Sequence, residues 1–232
     1  MNFCSKLSTL GAALVLTTAF ASADSVQVIS SYGTGTTVGA DNTATVYVGP
    51  TALTPTTTYD LNPGNASTGW APAINNSQWV SNNPGSGPTG NVISAPGTYT
   101  YTTTFTLDTL SESYTGFLNV LADDTTDVLL NGHSIEGISL PGTDGHCQQN
   151  TPNCTDPVNV TLNPEWFKDG INVLTFDVKQ TGGGAQGLDF DGLITGASLK
   201  GAPSPTPEPS SLLLLGTGLI GSAGALFRRM RA

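Results

Sequence analysis

Between Thr98 and Leu107 the chain alternates with a period of two: Tyr99, Tyr101, Thr103, Phe105 and Leu107 are interleaved with Thr98, Thr100, Thr102, Thr104 and Thr106. Successive side chains of a strand point to opposite faces, so the segment reads as a half-buried strand, aromatic on one side and hydroxylated on the other. Similar strands are read at Val26–Ile29, Ala44–Val48, Tyr114–Ala122, Val158–Leu162, Ile171–Gln180 and Leu188–Leu199. Asp127–Leu130 runs into Asn131-Gly132, a pair that accepts the positive φ angles of a type I′ hairpin, with His133–Ile138 as the return strand. Pro164–Gly170 reads as a helical turn stopped by Gly170. From Gly49 to Gly97 lies a Pro, Asn, Gly and Thr-rich region carrying Trp70 and Trp79, expected to wrap the domain. No helical pattern is long enough for a parallel crossover. The fold class expected is therefore all-β: an antiparallel jelly-roll sandwich.

The two ends of the chain are built differently. Met1–Ala23 has one charge, Lys6, then the apolar stretch Leu7–Phe20, then Ala21-Ser22-Ala23, the small-residue pattern read by signal peptidase. Cleavage after Ala23 leaves Asp24 as the new N-terminus, and Cys4 leaves with the signal. At the other end, residues 201–209 form a Pro-rich linker containing Pro207-Glu208-Pro209. Residues 210–227 carry no charge, and 228–232 hold Arg228, Arg229 and Arg231. Eighteen residues at about 1.5 Å each give about 27 Å of helix, just enough to span a bilayer core, with the arginines on the cytoplasmic side. The prolines keep the linker extended and accessible.

Motif, apolar helix and basic tail in that order resemble the PEP-CTERM sorting signal of Gram-negative bacteria that make exopolysaccharide. The resemblance implies processing by an exosortase near Pro207, Glu208 and Pro209. It also implies an inner-membrane intermediate and release of the body, residues 24–200, to the cell surface or extracellular matrix. An ordinary anchor that is never cut is the plainer reading of the same helix.

The body is strongly acidic: Lys168, Lys179 and Lys200 stand against 16 carboxylates, a net charge of −13. Nucleic acid is excluded as a partner, because its binding depends on cationic groups that release counterions. Cys147 and Cys154 share one loop of an exported chain and are placed to form a short disulfide. A metal site is the weaker reading, since only His146 would join them and the spacing is unlike a zinc ribbon.

Trp79-Val80, the Tyr99–Phe105 run, Ala122-Asp123-Asp124, Val128–Gly132 and Asp169–Leu174 come in an order that resembles the galactose-binding-like jelly roll of carbohydrate-binding modules. That resemblance, over about Trp70 to Leu199, implies a glycan-binding domain, in some members with structural calcium, and seldom catalysis. Fold likeness alone fixes no site.

Candidate sites follow from residue chemistry. An indole covers the apolar face of a pyranose, so Trp70 and Trp79, with Asn75, Asn76 and Gln78 beside them, form a candidate glycan-binding loop; packing in the core or rim is the preferred alternative for each tryptophan. Trp166 and Phe167 are expected to plug the core. Asp123, Asp124 and Asp127 cluster at a strand end, while Asp189 and Asp191 share a strand face. As hard oxygen ligands, Asp123, Asp124, Asp189 and Asp191 are the candidate calcium set, and calcium is the one cofactor the chain suggests. Solvated turn acids are the simpler reading. A glycosidase pair such as Asp123 with Asp189 is not singled out by spacing. With neither a G-x-S-x-G elbow nor an HExxH helix, no catalytic residue is assigned. The expectation is an exported, non-enzymatic surface or matrix protein that binds exopolysaccharide. A purely structural, self-associating protein is the alternative.

Overall fold

The computed structural model describes residues 25–32, 41–61, 69–74, 77–107, 111–135, 147 and 151–199. All lie within one compact unit, Ala23–Gly201. The signal segment, the Pro-rich linker, the apolar C-terminal run and the basic tail lie outside the described residues. Among the described residues no helix is long and apolar enough to cross a membrane.

Eleven antiparallel strands among the described residues build the unit. They are β1 (Ser25–Ser30), β2 (Asp41–Gly49), β3 (Ala52–Asp60), β4 (Val80–Ser81), β5 (Gly97–Leu107), β6 (Ser111–Asp123), β7 (Thr125–Leu130), β8 (His133–Ser134), β9 (Val158–Leu162), β10 (Gly170–Gln180) and β11 (Gly187–Leu199). A 3₁₀ turn, Pro164–Trp166, is capped by the Asn163 side chain, which accepts from the Glu165 N–H at 3.0 Å. Hydrogen bonding runs in the order β8-β7-β10-β5-β2-β3-β4-β11-β6-β9, and β1 pairs with β11. The ribbon folds over into two layers: Phe176 of β10 stacks on Phe190 of β11, ring centroids 4.4 Å apart, inside one core that draws on both halves. From β5 to β11 the longer strands alternate between layers, a two-layer plan that fits a jelly roll.

The core follows the period of two. Along β5, Tyr99, Tyr101, Thr103, Phe105 and Leu107 are buried, and along β10 so are Leu174, Phe176 and Val178. Asn131 (φ 52°) and Gly132 (φ 87°) take the positive angles that turn β7 into β8. Trp166 and Phe167 pack against the core from outside, as the sequence suggests.

Two strands depart from expectation, the two-residue β4 and the longer β3. β3 lies inside the stretch read as loop, because Ala52–Asp60 has no alternating apolar residues and contains Pro55. Its backbone is accommodated where the β2–β3 register shifts between Tyr47 and Gly49, a place where the ladder loses nothing to a missing N–H. Off the main strand order, Ser25 of β1 pairs with Gly196 of β11. The first and last strands thus enter and leave the unit side by side.

Candidate functional site

β6 and β11 turn Tyr114, Leu118, Val120, Leu188, Phe190 and Ile194 into the core, and their intervening residues face outward. That outer face has two unlike halves. At the end holding Leu121 and Gly187 it is covered, and toward Thr115 and Thr195 it is open.

The cover is a second, small core of Leu61, Trp70, Trp79, Leu121 and Cys154. Leu121 sits between Val120 and Ala122, three apolar residues in a row, so this end of β6 is buried on both faces. Trp70 and Trp79 pack together with centroids 4.2 Å apart. Trp70 Nε1 donates to Asp123 Oδ2 at 2.7 Å, and Trp79 Nε1 donates to the Ala71 carbonyl at 3.1 Å. Position 187 must be glycine for this packing, since a Cβ there would come within 2.8 Å of the Trp70 ring. Cys147 and Cys154 are paired with Cα atoms 5.2 Å apart, a separation a disulfide spans. The Ala71 N–H bonds the Cys154 carbonyl and the Ala122 N–H bonds the Asn153 carbonyl, which pins the cysteine segment to both the tryptophan loop and β6.

These contacts correct the glycan-binding loop expected from sequence. Trp70 is 5 % exposed and Trp79 0 %, so neither offers a ring face to a sugar; Leu121 needed covering and the indoles cover it. Gln78 is also engaged inward, its Nε2 donating to the Leu61 carbonyl at 2.7 Å. Asn75 and Asn76 lie outside the described residues.

Nor do the four candidate calcium ligands converge. Among the described residues no group of three His, Cys, Asp or Glu side chains is placed to hold a metal ion. Each carboxylate instead meets a protein donor. Asp123 takes the Trp70 indole, and Asp124 Oδ2 accepts from both the N–H and the hydroxyl of Thr181 at 3.0 and 2.9 Å. Asp189 accepts from the Ile74 N–H at 2.8 Å and from the Ser31 hydroxyl at 3.2 Å. Asp191 accepts from Asn119 at 2.8 Å. Asp189 and Asp191 do share the outward face, as alternation requires. Burial pushes the Asp189 carboxyl up to about 6; donated bonds from Ser77, Ile74 and Ser31 oppose the shift, and the nearby Asp191 charge adds to it. A hollow of about 240 Å³ beside Asp123, Asp124 and Gln180 is floored by the Gly182–Gly184 loop.

The open half bears in-register rows that cross the strands. Asp191 of β11, Asn119 of β6 and Asn159 of β9 form one row, with Asn159 Nδ2 donating to Asn119 Oδ1 and Asn119 Nδ2 to Asp191 Oδ1, both at 2.8 Å. The next row is Val28, Leu193, Phe117 and Thr161. Val28 is 55 % exposed and Phe117 38 %. Between Phe117, Leu193, Thr115, Thr195, Asn159 and Thr161 opens a hollow of about 430 Å³, with Val28 on the far side of Leu193. Sequence reasoning missed this face. Its one signal is Leu193 beside Ile194, an apolar pair that breaks the alternation of β11.

The C-terminal segment supplies the deciding comparison: residues 205–231 match the family model of the PEP-CTERM protein-sorting motif. The chain carries a PEP-CTERM sorting motif. A PEP-CTERM protein is exported and sorted by an exosortase, passing through a membrane-anchored intermediate in Gram-negative bacteria. No curated protein matches the chain. Three chains of solved structure do. One is a β-porphyranase of glycoside hydrolase family 86 from the human gut bacterium Bacteroides plebeius, 19 % identical, with a TM-score of 0.26. The match covers 46 % of the PEP-CTERM chain and 19 % of that enzyme, so the chain spans about a fifth of its length. A TM-score this low carries no inference about fold or activity.

Proposed function

We propose that the protein is a non-enzymatic component of the cell surface or exopolysaccharide matrix, delivered by its PEP-CTERM motif, whose β-sandwich binds carbohydrate. The sorting motif is the observation that carries this reading, because it takes the body out of the cytoplasm in organisms that build such matrices. A net charge of −13 on the body favours an uncharged ligand over a polyanion. Binding rather than cleavage is supported by the fate of the carboxylates. Asp189, half of the glycosidase pair weighed from sequence, is fully buried beneath the Ile74 loop, where no glycosidic oxygen reaches it. Disulfide closure between Cys147 and Cys154 suits the oxidising compartment.

Electrophoresis of the full-length protein through gels containing exopolysaccharide from the producing strain tests the reading. Retarded migration relative to a non-binding standard is expected, and unchanged migration would overturn it.

A self-associating structural protein is the second reading, favoured by Val26 and Val28, which are 60 % and 55 % exposed on β1. Light scattering with and without calcium separates the two: assembly that needs no sugar selects the structural protein.

A further inference from the structure

We infer that the open outer face of β1, β11, β6 and β9 is the surface that takes the glycan, and that its ligand is a neutral, extended polysaccharide lying across the strands. The inference rests on the carbohydrate-binding reading and names its site.

A pyranose chain is amphipathic, with C–H faces that want apolar contact and a rim of hydroxyls that want donors and acceptors. The open face offers both in parallel. The apolar row Val28–Leu193–Phe117 and the polar row Asp191–Asn119–Asn159 lie two residues apart along the strands, about 7 Å, and each steps from strand to strand at about 4.8 Å. That step is close to the repeat of a sugar unit in an extended chain. Phe117 supplies the ring surface and Leu193 continues it. The amides of the polar row are already oriented by their own bonds, Asn159 to Asn119 to Asp191, so little side-chain freedom is lost on binding. Each asparagine spends only one of its two N–H donors within the row. Thr115, Thr161 and Thr195 add hydroxyls around the 430 Å³ hollow.

Charge decides between a glycan and a second copy of the chain. No lysine or arginine stands on any of these four strands, while Asp191 lies within the polar row. Face-to-face pairing of two copies would bring the two Asp191 carboxylates into one dry interface with no cation to meet them, which is costly. A neutral sugar leaves that carboxylate solvated or bonds it through hydroxyls. An anionic polysaccharide meets the same repulsion as a second copy.

The test uses full-length protein in mild detergent, with a mixed-linkage β-glucan, a galactan and a mannan as neutral probes and alginate as the anionic one. Binding to at least one neutral polysaccharide and none to alginate is expected. Phe117→Ala and Asn119→Ala should each weaken it about tenfold or more, the scale of one lost contact. Thr161→Arg, on an exposed edge position, should block the groove without touching the core, and Ile171→Ala, exposed on the other layer, should bind as the parent does. Folded variants that bind with parental affinity would overturn the site while leaving carbohydrate binding intact. A parent that binds no polysaccharide would overturn both. A dimer in sedimentation that Phe117→Ala dissolves would assign the face to a second copy and overturn the inference.

Discussion

Trp70 and Trp79 lie ring against ring, tilted by 33° with 4.2 Å between centroids, over the outward side chain of Leu121. Residues that looked like a sugar platform are the lid of a small core. Replacing Trp70 with phenylalanine keeps most of the ring contact but removes the indole N–H that Asp123 accepts inside a buried site. The expected loss is about 1–3 kcal/mol, seen as a lower urea midpoint with an unchanged slope. Polysaccharide affinity should not move, because the ring is out of reach of solvent.

Reduction reports on the same lid. Cys147 and Cys154 close a short loop, for which the chain-entropy relation gives about 2–3 kcal/mol. Cys147→Ser with Cys154→Ser should lower the thermal midpoint by several degrees, matching the parent under dithiothreitol. The mature body should show no reactive thiol in a denaturing Ellman assay; two thiols would mean the bridge does not form.

Asp189 sets a pH dependence whose sign is fixed by its surroundings. Its folded pKa, about 6, lies above the 3.8 of the free side chain, so the folded state holds this proton more tightly. Its contribution to stability is full below about pH 4 and is lost as pH rises through about 6, on the order of 2–3 kcal/mol. Stability measured by urea at pH 4.5 and 7.5 should fall with rising pH in the parent, and Asp189→Asn should flatten that part of the profile. Equal slopes in the two proteins would show that the group is not responsible.

Processing is tested at the linker. Glu208→Ala in the producing strain should leave the chain membrane-bound at precursor mass, whereas the parent should appear at the surface or in the medium with residues beyond the motif removed. Mass spectrometry of both ends reads this directly, and a mature N-terminus at Asp24 is expected.

Most of the strands were legible because their outward faces meet water. β5 and β10 alternate so regularly that their core residues follow from the letters, and the Asn131-Gly132 turn between β7 and β8 is legible too. What could not be read was which outward faces are covered. Val120-Leu121-Ala122 and Leu193-Ile194 both interrupt the alternation, yet one is capped by tryptophans from some 50 residues earlier in the chain and the other is left bare. The difference depends on where the segment around Trp70 travels, which is a long-range matter. β3 escaped notice for a local reason, since a threonine run with a proline carries no apolar period. The carboxylates were misjudged in a third way: acidic residues near one another in sequence were each claimed by separate protein donors, an indole for Asp123, backbone N–H and hydroxyl groups for Asp124 and Asp189, and a side-chain amide for Asp191.

The pairing of Ser25 with Gly196 makes the first and last described strands neighbours at the ends where the chain enters and leaves them. A donor fluorophore at position 25 and an acceptor at 199 will transfer energy efficiently while β1 and β11 remain zipped, and the signal will vanish when either strand peels away. Cleavage expected after Ala23 and near Pro207 would fall beyond this rung on both sides, so trimming at those positions would not require the sandwich to loosen.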